Sequence, residues 1–160
     1  MGRFLVVASL AAFLPAASAQ PDSRSVFGER TPLLAAGADA IRAGRYDDGI
    51  RLTIEGLETE PVTTRLKAAA LANLCAAHAA KGEPDVAIGF CDESVELDPR
   101  NWRAYSNRSF AYWQKGMYAE ATADIDAAAS LAPSAPQVRQ MRGLINEKTL
   151  RPRVTMENRQ

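Results

Sequence analysis

The 160-residue sequence predicts an all-α fold, an α-α superhelix of three helix-turn-helix units closed by a seventh, capping helix. Three observations carry that reading. Beyond about residue 30, alanine and leucine dominate and no alternating β-branched run appears, so the local preference is helical throughout. Gly44, Gly82 and Gly116 each end a helical run, where a glycine just past the helix takes up the left-handed backbone at little cost. Pro61, Pro99 and Pro133 each close a second run, and both sets of markers are spaced 38 and then 34 residues apart. A spacing shared by two independent markers is a repeat.

The elements follow in order. Arg3 supplies a short positive region, Phe4 to Leu14 form an eleven-residue apolar stretch, Pro15 breaks it, and Ala17-Ser18-Ala19 gives a small-x-small pattern before Gln20. That is the layout of an export signal, so residues 1–19 are expected to be removed. As a helix the stretch reaches only about 16 Å against a bilayer core of ~30 Å, which argues against the alternative of a short membrane anchor. No cysteine follows the cleavage point and no later segment has 18 consecutive apolar residues, so a soluble mature chain with no membrane span is expected. Residues 20–29, with Pro21, Ser23, Ser25 and Gly28, read as a flexible lead-in.

The first hairpin runs through Leu33, Ala36, Gly37 and Ala40, then Gly44-Arg45-Tyr46, Gly49, Thr53 and Pro61. The second carries Leu71, Leu74, Cys75 and His78, matched by Ala87, Cys91, Ser94, Leu97 and Pro99. The third carries Tyr105, Arg108, Ser109 and Tyr112, then Gly116-Met117-Tyr118, Ala121, Ile125, Ala128, Leu131 and Pro133. These runs place the units at about 30–63, 64–101 and 102–135 within a domain over 30–150. The four residues by which the first spacing exceeds the second are expected to lengthen the first helix of the middle unit by one turn. After the third unit, Ser134-Ala135-Pro136-Gln137 reads as a capping box opening a capping helix over 135–149, with Val138, Met141, Leu144 and Ile145 at helical spacing. Residues 151–160 read as a mobile tail.

A 34-residue helix-turn-helix period with this order of large, small and tyrosine residues resembles the tetratricopeptide repeat, over residues 30–133. The resemblance implies that small residues let paired helices approach closely: Gly37 faces Gly49, Cys75 faces Ala87, and Ser109 faces Ala121. It also implies a concave groove lined by the first helix of each unit. Carried onto this chain, the groove residues are Leu34, Ala38 and Ile41, then Ala69, Ala72, Asn73 and Ala76, then Arg103, Ser106, Asn107, Phe110 and Trp113. Phe110 and Trp113 are the candidate anchors for a protein or peptide partner. The competing reading is that both rings pack against the capping helix. Family members that hold a chaperone's C-terminal carboxylate use polar groups across three repeats. Here Leu34 and Ala38 cannot donate hydrogen bonds, and only Asn73, Arg103 and Asn107 remain.

Cys75 and Cys91 lie on the two helices of one hairpin, at nearly the same height counted from the Gly82-Glu83-Pro84 turn. In an oxidising compartment they are placed to form a disulfide, the alternative being two small buried thiols. Their spacing is not that of a catalytic dithiol.

The chemistry classes thin out quickly. A formal net charge of zero excludes the basic excess of a nucleic-acid binder. His78 is the sole histidine and sits on the packed side of its helix, so a structural role is expected, with no catalytic group, metal site or cofactor. Asn107-Arg108-Ser109 matches a glycosylation triplet but lies inside a helix with its serine toward the core. Asp124 and Asp126 point to different faces and cannot share acid-base work. The C-terminal basic bias of Arg139, Arg142, Lys148, Arg151 and Arg153 reads as a solvated face. The expectation is a non-catalytic, partner-binding adaptor of the bacterial cell envelope, exported to the periplasm or secreted. The alternative is a structural or self-associating subunit of an envelope complex, with a homo-oligomer as its mark.

Overall fold

The computed structural model describes residues 31–149. The expected signal peptide, the lead-in and the tail lie outside the described residues. Within them the chain forms seven helices and no strand: α1 (Pro32–Arg42), α2 (Tyr46–Thr59), α3 (Thr64–Ala80), α4 (Pro84–Leu97), α5 (Trp102–Gln114), α6 (Tyr118–Leu131) and α7 (Pro136–Thr149).

The three hairpin turns are built alike. Gly44, Gly82 and Gly116 have φ of 77°, 78° and 73°, the left-handed conformation that glycine alone takes without a Cβ penalty. The reversal lets the next amide reach back five residues. Arg45 N–H donates to the Ala40 carbonyl, Glu83 N–H to His78 and Met117 N–H to Tyr112, each at 2.9 Å. These bonds satisfy carbonyls that a helix end would otherwise leave unpaired. The junctions between units are less uniform. The Glu60 carboxylate caps α1 by accepting Leu33 N–H at 2.6 Å and Leu34 N–H at 3.2 Å. Thr63 caps α3 through its hydroxyl, which accepts Leu66 N–H at 3.2 Å. The α3 helix has 17 residues against 13 in α5, the extra turn that the longer first spacing implies.

Close helix approach rests on small residues. A Cβ on Gly37 would strike the Thr53 hydroxyl and come within 3.1 Å of the Gly49 carbonyl. In the third unit Ser109 donates to the Ala121 carbonyl at 2.7 Å, a bond possible only because the two backbones nearly touch. In the middle unit Cys75 and Cys91 form a disulfide, with Cα atoms 5.4 Å apart and no exposure of either residue. Of the two readings left by the sequence, the structure takes the staple. The Ala104 carbonyl lies 3.0 Å from Cys91 Sγ, a packing contact, since a disulfide sulfur has no proton to give.

One sequence expectation fails locally. The capping box places the cap at Ser134 and the helix from residue 135, but α7 opens one residue later, at Pro136, which puts the N-cap at Ala135. Arg139 N–H bonds the Ala135 carbonyl at 3.3 Å, and the Arg139 guanidinium takes the Ser134 carbonyl at 2.8 Å. The proline explains the shift, because it is most at home in the first turn itself.

Successive inner helices α1, α3, α5 and α7 pack on one another. The outer helices α2, α4 and α6 pack on the inner helices that flank them, and not comparably on each other. A layer whose members touch, backed by one whose members spread, must curve with the touching layer inside.

Candidate functional site

The inner face is defined by which inner-helix residues remain open once the units stack. On α3, Ala68, Ala70, Leu71, Ala72, Leu74, Cys75, Ala77 and Ala79 are buried, which leaves Ala69, Asn73, Ala76 and Ala80 as one open stripe at helical spacing. Applying the repeat spacings of 38 and 34 gives Ala35, Ala38 and Arg42 on α1, and Arg103, Asn107, Phe110 and Gln114 on α5. Ala38, Asn73, Ala76, Arg103, Asn107 and Phe110 therefore lie on this open stripe.

Four assignments require correction. Leu34, Ala72 and Ser106 occupy equivalent positions, and all three are buried, at 1%, 1% and 6% exposure. They sit one residue, about 100° of helix rotation, off the open stripe and face the seam between units, where Ser106 still lines a cleft between α5 and α7. Leu34 packs beside Gly56 of α2 and Ala70 of α3. Trp113 is equivalent to Ala79, which is fully buried, and its ring packs into the cluster of Ile125, Val138, Met141 and Ile145 between α6 and α7. Its indole Nε1 is shielded from solvent and meets no acceptor among the described residues, while Lys148 Nζ lies 6.0 Å from the ring centroid. Phe110 stacks on Trp113 with centroids 6.0 Å apart and shares that cluster, yet its other side stays on the groove. The two rings the sequence pairs as anchors thus divide, one structural and one half-open.

The polar stripe residues also work inside the protein. Asn107 donates its amide to the Ala72 carbonyl at 2.9 Å and Gln114 to the Ala79 carbonyl at 2.9 Å. Asn101 bonds Ala68 at 3.3 Å and the Ser94 hydroxyl at 3.0 Å. These amides form a ladder from α5 onto carbonyls of α3 and set the register of the third unit on the second. The Asn73 amide has no partner among the described residues. Arg103 stacks over Trp102 at 4.4 Å and finds no carboxylate there either. Partial desolvation lowers its pKa from the usual arginine value, leaving a charged, unpaired guanidinium beside the groove.

Sequence reasoning missed the wall that α7 adds. Ser106, Asn107 and Phe110 of α5 face Gln137, Gln140, Met141 and Leu144 of α7 across a cleft of about 190 Å³. Phe110, Met141 and Leu144 supply its apolar lining. Its rim carries the amides of Gln137 and Gln140, exposed and without partners among the described residues. No signal in the sequence separates these glutamines from solvated surface until the facing of α7 is known.

His78 is a structural residue as expected. Its Nδ1 lies 2.6 Å from a Glu83 carboxylate oxygen, and its ring stacks on Phe90 at 5.3 Å. Lys81 joins the cluster, 3.3 Å from Glu83 and 2.7 Å from Asp47 of the first unit. The His78 contact, then Lys81, hold the Glu83 carboxyl below its ordinary pKa. Asp124 and Asp126 diverge as expected, Asp124 bonding Arg108 and Asp126 pairing with Arg142 at 2.8 Å. No group of three or more potential metal ligands occurs among the described residues.

The same backbone recurs in the crystal structure of the P58(IPK) TPR domain, 27% identical, with a TM-score of 0.63, covering 75% of this chain and 34% of that one. The fold is that of a tetratricopeptide domain. The Sgt2 TPR domain of Aspergillus fumigatus shares it at 20% identity and a TM-score of 0.64, with 81% and 84% of the two chains covered. So does the first TPR of Spaghetti (RPAP3), bound to the HSP90 peptide SRMEEVD, at 21% identity and 0.63, covering 73% and 93%. In sequence, DnaJ homolog subfamily C member 3 of Mus musculus is 29% identical over 108 residues, 68% of this chain. The Homo sapiens protein is 28% identical over the same length. The chain spans about a fifth of the length of those curated relatives. No family model matches it.

Proposed function

We propose that the protein is a non-catalytic, peptide-binding adaptor that holds an extended segment of a protein partner along its inner face. The observation that carries the reading is the neutral seat between α5 and α7. Phe110, Met141 and Leu144 offer an apolar side chain a floor, while the unpartnered amides of Gln137 and Gln140 can bond a partner backbone. Ala69, Ala76 and Ala80 keep the rest of the stripe shallow, so an extended chain can lie across α3 toward that seat. Arg103, unpaired and one turn before Asn107, favours a carboxylate on the partner next to the apolar anchor. The solved Spaghetti (RPAP3) domain that shares the fold holds a peptide, which agrees with this use of the scaffold.

We also place the chain outside the cytoplasm, in the periplasm of a bacterial cell envelope, with residues 1–19 as its export signal. The buried Cys75–Cys91 disulfide supports an oxidising compartment.

Selection of peptides from a random library against residues 20–160 tests the binding reading. Selected peptides should share an apolar residue near an acidic one. Their affinity should fall by about tenfold or more on Gln137→Glu with Gln140→Glu, two exposed positions outside the core, through repulsion of the acidic residue and loss of the amide donors. Failure to select any peptide, or peptides indifferent to both substitutions, would overturn it.

A further inference from the structure

We propose that the cleft between the start of α3 and the α4–α5 connection binds a phosphate ester, with Arg65 and Arg100 as its cations. The cleft encloses about 550 Å³ and is lined by Thr64, Arg65, Leu97, Asp98 and Arg100. None of these residues belongs to the groove stripe or to the α5–α7 seat.

Two arginines without an acidic partner line this one cleft. Several other cations meet carboxylates: Arg51 with Glu55, Lys81 with Asp47 and Glu83, Lys115 with Asp85, and Arg142 with Asp126. Arg65 and Arg100 contact no carboxylate among the described residues, although Asp98 lines the same cleft. Asp98 is turned to another use, its Oδ1 accepting the Arg100 backbone N–H at 3.0 Å. Two like charges facing one cavity repel each other. An oxyanion between them relieves the repulsion and can accept paired hydrogen bonds from each planar fork. A tetrahedral phosphate has the acceptors for two forks and the Thr64 hydroxyl together, which a lone carboxylate lacks. Asp98 in the wall disfavours a bare anion but can accept a hydroxyl, and Leu97 gives an apolar surface for a carbon chain. The fitting ligand is a phosphate ester of a hydroxylated molecule, free in solution or as a lipid headgroup.

The test uses the mature chain at low ionic strength, where such contacts are least screened. Calorimetry with glycerol 3-phosphate should show saturable binding, weakened by about tenfold or more in Arg65→Gln with Arg100→Gln. Arg45→Gln with Arg51→Gln removes the same charge elsewhere and should leave it intact. Co-sedimentation with phosphatidylglycerol vesicles, lost in the first double variant alone, would assign the site to a lipid headgroup. Its absence beside calorimetric binding would assign it to a soluble ester. No saturable binding to either probe, or equal losses in the two double variants, would overturn the proposal.

Discussion

Arg108 grips Asp124 with two teeth. Its Nε and Nη2 each lie 2.7 Å from a carboxylate oxygen of the nearly buried aspartate, joining α5 to α6, while Nη1 reaches Asp92 of α4 at 2.6 Å. The Asp124 bonds, outweighing the opposing effect of burial, hold Arg108 above its ordinary pKa. Removing one partner leaves the other partly buried and uncompensated, which costs more than the pair contributes. Asp124→Ala is expected to lower unfolding stability by about 2–3 kcal/mol, with Asp92 softening the loss. Urea unfolding of Arg108→Met with Asp124→Leu should show less than the sum of the single effects, the coupling expected of groups in contact.

The disulfide gives a second expectation. Its cysteines are 16 residues apart, and in the chain-entropy model a loop of that size contributes about 3 kcal/mol. Cys75→Ala with Cys91→Ala should lose about that much in denaturant melts. Thiol titration of the unreduced, unfolded protein should find no free cysteine.

Gly37 tests close packing. An added Cβ meets the Thr53 hydroxyl, which itself donates to the Gly49 carbonyl at 2.7 Å, so the neighbour cannot swing away without breaking a buried bond. Gly37→Ala should destabilise by about 1–3 kcal/mol despite alanine's better helix propensity. Gly89→Ala on α4 meets nothing within 4 Å and should be neutral to stabilising.

The Glu83 cluster predicts a pH dependence. A carboxyl held below its unfolded pKa contributes stability that is present above the unfolded value and lost as pH falls through the folded one. The wild-type protein should be more stable than Glu83→Gln at pH 7. Urea melts near pH 3, below the ordinary glutamate value, should find that difference reduced.

These cases separate what the residues disclose from what they leave open. The hairpins were legible because Gly44, Gly82 and Gly116 demand a backbone that few other residues accept, and the prolines repeat at the same interval. The staple was legible because Cys75 and Cys91 count out to equal height from one turn. The facing of the inner helices was not, because α3 is alanine on nearly every side and apolar pattern cannot orient it. That is why Leu34, Ala72 and Ser106 fall one residue off the open stripe, into the seams. Trp113 stays open between two readings for a related reason: an aromatic residue serves a groove or a core equally well until α7 is in place. Gln137 and Gln140 stayed hidden because an isolated surface amide carries no sign of what it faces.

The central claim is that a protein partner lies on the inner face. Photo-cross-linking in the native cell tests it most directly, with a photoreactive side chain at Ala76 or Gln140 on the inner face, or at Ile54 or Val86 on the outer helices. The account predicts partner adducts from the two inner positions and none from the outer pair. Adducts confined to Ile54 and Val86 would contradict it.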